Sequence, residues 1–395
     1  MPYNVSFISL GCAKNQVNCE QMMATVQHAG HNVVLSPEGA DVAVVNTCGF
    51  LASACEEAID NILEMAELKK EGKLKKIIVT GCMAQRYKDD VLHELPEVDA
   101  VLGTGSYGEI ACAVDEVMAP GGLRPCYMGD IQNCVQGGAR ILSTPSWYAY
   151  LRIAEGCDNC CAYCVIPRLR GRYRSRPMNE LLDEASELAS AGVKELIVIA
   201  QDITKYGMDL PEHKRLLPEL LRELCKMDFT WIRLHYLYPD QITDELIDVI
   251  AEEPKIVKYL DIPLQHVSKR ILRAMHRPGD GAEFTALIED MRRRIPGLVL
   301  RTSLIVGLPG ETDDEFAELC EFLQNAAIER VGVFEYSPEE GTRGAAMPDQ
   351  VPEEVKLERA QEAMDLAESL GFAATAAHVG ERAQVIVDGI EETED

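Results

Sequence analysis

The stretch WYAYLRIAEGCDNCCAYC, residues 147–164, decides how the rest of the chain is read. Its first half, Trp147 to Ala154, is an apolar and aromatic run of strand length that stops just before Gly156. Its second half sets Cys157, Cys161 and Cys164 in a C-x3-C-x2-C spacing within a single loop. Three thiolates so close together can cap three corners of a cubane [4Fe–4S] cluster and leave the fourth iron open to a small molecule. Cys160 makes a competing C-x2-C pair with Cys157, the spacing of a structural zinc knuckle. No second C-x2-C or H-x3-H pair follows to complete four zinc ligands.

Downstream, short apolar runs alternate with helical periodicity. Strands are expected at 195–200, 231–235, 257–262, 298–306 and 331–336, and helices at 178–191, 215–226 and 243–252, more than one within 268–294, and at 313–326 and 353–370. With Trp147–Ala154 these make six strand–helix units, which predicts a partial (β/α)6 TIM-type barrel over 147–372. Such a barrel carries its reactive residues at the carboxyl ends of its strands. The cysteine loop stands in that place, as do Gln201-Asp202, His235-Tyr236 and Gln265-His266. Arg301 and Ser303 lie within the fifth strand, and Gly307 and Gly310 follow it in a turn where backbone can approach a ligand closely. Polar residues at a barrel rim also serve as caps or solvated turns. Residues 168–176, RLRGRYRSR, alternate arginines with other residues; on an extended segment these would form one positive stripe, for an anionic ligand or as a solvated edge.

Upstream, strands are expected at 3–10, 41–46, 76–80 and 98–102, with helices at about 18–29, from a Ser53 cap to about 72, and at 107–118. Short buried strands alternating with helices predict an open parallel α/β domain over 1–120. Cys12, Cys48 and Cys82 each fall just beyond a different strand, at the edge where open α/β sheets bind ligands. A single strand-end cysteine is usually core; three in the same register make a second three-thiolate site. The Gly- and Pro-rich stretch 121–146 reads as a linker. The tail 373–395 contains a strand-like run near GERAQVIVDG and reads as the start of a further β domain cut short.

The chain has 395 residues, 47% of them hydrophobic, and no apolar run approaches the roughly 18 residues of a membrane helix. Fourteen cysteines without an export signal suit a reducing compartment, so a cytoplasmic, monomeric protein is expected. The net charge of −27 opposes nucleic acid at long range and attracts basic partners.

With both triads in place the sequence resembles the methylthiotransferases of the radical S-adenosylmethionine (SAM) superfamily. The resemblance rests on SLGCAKN at 9–15, NTCGF at 46–50, TGC at 80–82, the loop 157–164 with Tyr163 before its last cysteine, RSRP at 174–177, PLQH at 263–266, IVGLPGET at 305–312 and YSPEEGT at 336–342. SLGCAKN is closer to the branch that modifies an aspartate β-carbon in a small-subunit ribosomal protein than to the tRNA branch. The resemblance implies two [4Fe–4S] clusters: one on Cys157, Cys161 and Cys164 that binds and cleaves SAM, and an auxiliary one on Cys12, Cys48 and Cys82 that handles sulfur. It implies SAM contacts at the candidates Tyr163, Gln201, Arg301, Ser303, Gly307 and Gly310, an electron donor such as flavodoxin, a sulfur donor, and a C-terminal TRAM-type β-barrel of which only the start is present. An aspartate β C–H is not acidic enough for a side-chain base, so a cofactor radical must break it. Two other readings stay open: a methylthiotransferase acting on tRNA adenosine, and a non-catalytic iron–sulfur or zinc scaffold that binds ribosomes. The sequence departs from the family pattern at Asn18-Cys19-Glu20, where Asp-Ser-Glu is common, and at Cys160.

Overall fold

The run VAVVNT, Val42–Thr47, is buried along its whole length, as a strand covered on both faces of a parallel sheet must be. In the computed structural model, which describes residues 1–121, 124–133 and 137–389, it is the third strand of a sheet formed by β1 (Asn4–Ser9), β2 (Asn32–Val34), β3 (Val42–Thr47), β4 (Lys76–Gly81), β5 (Ala100–Leu102) and β6 (Cys126–Tyr127). All pairings are parallel, and the order is β2-β1-β3-β4-β5-β6. The order reverses between β1 and β3, and a crevice opens at such a switch point beyond the strand ends. Ser9 pairs with Asn46 and Thr47 with Gly81, so the ends of β1, β3 and β4 stand level.

The second sheet begins with β7 (Tyr148–Arg152), followed by a two-stranded antiparallel ribbon of β8 (Ala154–Glu155) and β9 (Arg174–Ser175). It continues with β10 (Glu195–Ile199), β11 (Trp231–Leu234), β12 (Ile256–Asp261), β13 (Val299–Val306) and β14 (Arg330–Glu335). Its order, β14-β13-β12-β11-β10-β7, follows the chain, and among the described residues β14 and β7 do not pair. The result is an open, partial barrel. In β13 burial alternates residue by residue: Leu300, Thr302, Leu304 and Val306 are buried, and Arg301, Ser303 and Ile305 share the other face.

Four expectations change. The first helix starts at Ala13, not near 18, and runs to His28. Its start carries no apolar stripe because it is enclosed on all sides: Lys14, Asn15, Asn18, Glu20 and Gln21 are buried along with Val17 and Met22. The arginines of 168–176 do not form one stripe. Ile166–Arg170 is a helical turn, Gly171 breaks it at φ 76, and Arg174–Ser175 is the short ribbon strand. Arg170 and Arg176 are therefore buried while Arg168 and Arg172 face solvent. Within 121–146, Cys126–Tyr127 adds a sixth strand to the first sheet. Finally, the last helix runs Glu353–Ala377, and no strand forms over the described residues 378–389. The helix lies along β14, the edge where another strand could have paired; residues 390–395 lie outside the described residues.

Candidate active site

The two sheets meet with their strand ends facing a cavity of about 400 Å3, lined by Cys12, Cys48 and Cys82 on one side and Cys157, Cys161 and Cys164 on the other. On the first side, Cys12 precedes the helix Ala13–His28 with an extended backbone, φ −99 and ψ 166, and its carbonyl accepts the N–H groups of Asn15 and Gln16 at 2.9 and 3.0 Å. Gly11 and Gly81 bring the strand ends close. A Cβ on Gly11 would stand 2.8 Å from the Cys48 Cβ, and one on Gly81, at φ 99, would stand 2.4 Å from the Thr47 carbonyl oxygen. Only glycine fits at either point.

Burial pushes the Cys82 thiol up to about 11, with Arg170 opposing it. Cys12 is exposed, and although the protein crowding its thiol works to raise it, Lys14, Arg170 and the N–H groups of Asn15 and Lys14 outweigh that and hold the thiol below its ordinary value. On the barrel side, burial lifts Cys157 to about 11 and Cys164 to about 12. Thiols so placed become good ligands only when a positive group takes the place of their protons.

Each triad has a buried arginine beside it. Arg170 donates from Nε to Cys82 Sγ at 3.4 Å, from Nη1 to Asn18 Oδ1 at 2.7 Å and Glu155 Oε2 at 3.1 Å, and from Nη2 to Asn15 Oδ1 at 3.0 Å. Arg277, stacked 4.4 Å from the Tyr238 ring, points Nη1 at Cys161 Sγ at 3.9 Å. The Ile166 N–H donates to Cys164 Sγ at 3.4 Å. Glu155, just before the cysteine loop, is fully buried between Arg152 at 2.9 Å and Arg170 at 3.1 Å. Burial opposes its charge, yet the two arginines, Gln201 and the Gly156 N–H bring its carboxyl down to about 2. Among the described residues, no three His, Cys, Asp or Glu side chains close round a point as ligands of one metal ion would. Two cysteine triads on facing walls, each with its own cation, fit anionic polynuclear groups better than a zinc knuckle.

A second cavity, of about 550 Å3, adjoins the first and shares Phe50, Tyr163, Gln265 and Ser303 with it. Ile305, Phe334 and Tyr336 give it apolar walls, and Glu335 and Ser337 polar ones. Of the expected contacts, Tyr163 and Ser303 line both cavities, and Gln201 lines the first, donating to Glu155 Oε1 at 3.0 Å. Arg301 lies one step down the same face of β13, where its Nη1 reaches both oxygens of Asp261, at 2.9 and 3.0 Å. Gly307 and Gly310 line neither cavity. Both take positive φ, 76 and 78, but Lys356 packs over Gly307, whose N–H donates to Glu311 at 2.9 Å, and the Gly310 carbonyl accepts from Arg270 at 2.6 Å. Cys160, at φ 50, is exposed and does not line the cavity.

Residues 4–103 match the uncharacterized protein family UPF0004, and residues 151–323 match the radical SAM superfamily. A "Ribosomal protein uS12 methylthiotransferase RimO" from Anaeromyxobacter sp. (strain Fw109-5) is 50% identical over 390 residues, covering 98% of this chain and 82% of that protein. The chain belongs to the RimO family. A second RimO, from Lachnoclostridium phytofermentans, is 48% identical over 387 residues, 98% of this chain and 87% of its own. The radical SAM methyltransferase TsrM from Kitasatospora setae shares the fold at a TM-score of 0.63 and 15% identity, covering 85% of this chain and 75% of that one. Membership of a radical SAM family brings SAM and a [4Fe–4S] cluster with it, and each cysteine triad falls within a different matched region. No helix among the described residues is long and apolar enough to cross a membrane.

Sequence reasoning passed over Lys14, Glu155, Tyr238, Asp261 and Arg277, and placed Arg170 only as part of a stripe. The available signal was adjacency: Lys14 stands two residues past Cys12, and Glu155 two before Cys157.

Proposed function

We propose that this chain adds a methylthio group to the β-carbon of an aspartate in ribosomal protein uS12, using two SAM molecules and two [4Fe–4S] clusters. The observation that carries this reading is that both cysteine triads line one cavity, so sulfur transfer and C–H cleavage can meet at one carbon. Cys157, Cys161 and Cys164 would hold the SAM-binding cluster, and Cys12, Cys48 and Cys82 the auxiliary one. When bound, these groups supply the one-electron chemistry and the sulfur that side chains lack. The second cavity, within the usual size of a small-molecule site, would take SAM, with Phe50, Ile305, Phe334 and Tyr336 around its adenine and Ser303 and Gln265 toward the clusters. Glu155 locks the start of the cysteine loop, and Arg170 and Arg277 offset the negative charge at each triad. An external one-electron donor such as flavodoxin and a sulfur donor complete the requirements.

The acidity of the chain favours a basic ribosomal protein over tRNA, whose phosphates would need many cations. The test is to incubate the anaerobically reconstituted enzyme with uS12 and, separately, with tRNA. The expected result is a gain of about 46 Da on the aspartate-bearing peptide, for H replaced by SCH3 at the carbon the radical chemistry opens. A gain only on an adenosine of tRNA would overturn the reading.

A further inference from the structure

Among the described residues, the wall of the six-cysteine cavity carries one cation that makes no hydrogen bond or ion pair. Lys14 is 8% exposed, and its Nζ stands 3.7 Å from the centre of the Tyr236 ring. The other charges facing the cavity are committed. Arg170 is held by Glu155, Asn15, Asn18 and Cys82, and both Asp261 oxygens are taken by Arg301. Next to Tyr236, His235 is kept neutral, pushed down to about 4 by burial and by Arg233, Lys14 and Arg301. An ammonium has three donors to satisfy, and a ring face replaces only part of the hydration it has lost.

The backbone around it is strained. Tyr236 at φ 69 and Gln265 at φ 72, both at strand ends and both lining the cavity, adopt a left-handed conformation that residues with a Cβ hold only when their surroundings enforce it. Tyr236, whose ring lies beside the Lys14 ammonium, lines the cavity together with Lys14.

We infer that Lys14 binds the side-chain carboxylate of the acceptor residue, so that the neighbouring carbon lies between the two triads. This rests on the reading above, in which the acceptor is an aspartate. A carboxylate entering a cavity walled by thiolates and anionic groups is repelled unless a cation meets it, and in a chain of net charge −27 that cation must be local. A neutral base or amide would gain no comparable interaction, so Lys14 sets specificity as well as position.

The test compares two uS12-derived peptides, one with the target aspartate and one with asparagine in its place, for anaerobic binding to the reconstituted wild type, Lys14→Met and Lys14→Arg. The wild type is expected to favour the aspartate peptide by roughly ten- to a hundredfold, the worth of a charge-assisted hydrogen bond. Lys14→Met, compared on protein with its full iron because Lys14 also acts on the Cys12 thiol, should lose that preference while keeping its affinity for SAM, and Lys14→Arg should retain most of it. Equal binding of the two peptides by the wild type, with methylthiolated uS12 still formed, overturns the role of Lys14 alone. Weaker SAM binding by Lys14→Met with the peptide preference intact would do the same, by assigning the ammonium to the cofactor's carboxylate. If the wild type puts no methylthio group on uS12, the functional reading itself falls.

Discussion

Arg170 joins parts of the chain that are remote in sequence, since its guanidinium bonds Asn15, Asn18 and Cys82 on the first sheet's side and Glu155 on the barrel's. Removing one partner of a buried ion pair typically costs about 3–5 kcal/mol, and Arg152 remains to hold Glu155, so Arg170→Met is expected to cost about 3 kcal/mol in urea unfolding at pH 7. Glu155 itself makes a pH prediction. Its folded-state value of about 2 lies below the ordinary 4.5, so its contribution is complete above pH 4.5 and is lost as pH falls from there toward 2. Glu155→Gln should remove on the order of 3 kcal/mol at neutral pH and flatten that acid limb in urea melts. Histidines act over a different window. Burial pushes His235 and His266 down to about 4 from 6.5, so the unfolded chain binds protons that the folded chain refuses. Stability should therefore be full above pH 6.5 and decline toward pH 4, and Tm of His266→Gln should fall less than that of the wild type between pH 7 and pH 5. An equal fall would show that His266 is not kept neutral in the fold.

At the scale of elements, the cysteines of the first sheet depend on backbone turns more than on their own neighbours. Gly81 sits at φ 99 with the Thr47 carbonyl 2.4 Å from where a Cβ would be, so Gly81→Ala must separate the ends of β3 and β4. Cys48 and Cys82 follow those ends, so on the two-cluster proposal the variant is expected to lose the auxiliary cluster and keep the other, giving about four irons per chain where that proposal expects about eight of the parent. Iron analysis together with EPR of the reduced protein checks it, and an unchanged iron content would show that the strand ends tolerate the shift. Helix Asp313–Ala326, which lines neither cavity and contributes to neither cysteine triad, offers a control. Thr312 and Glu315 form a reciprocal capping box, which Ser268 and Arg270 reinforce through Glu315. Thr312→Ala should cost about 1 kcal/mol in unfolding without changing iron content.

Across the whole molecule, two sheets present their strand ends to each other and share one reaction space. If the barrel holds its cluster independently, replacing Cys12, Cys48 and Cys82 by alanine should leave SAM cleavage to deoxyadenosine in place and abolish methylthiolation. Absence of deoxyadenosine from that variant would show that the barrel cannot work without the first sheet's cluster. Much of this architecture is legible in the chain itself. The apolar runs of β3 and β10 mark strands because strands buried on both faces need continuous apolar side chains, and the C-x3-C-x2-C loop stands out because its three cysteines are local in sequence. Strand-end position alone brings out Cys12, Cys48 and Cys82, since a parallel sheet puts all its carboxyl ends on one edge. What only the tertiary structure decides is which polar residues turn toward the cavity. The first turns of the helix Ala13–His28 have no readable apolar stripe because polar residues there are buried along with apolar ones, and Arg170, Glu155 and Lys14 look in sequence like ordinary surface charges. Their partners come from remote segments, and contacts of that range leave no period in the sequence, whereas the period of a strand or helix is written by nearest neighbours alone.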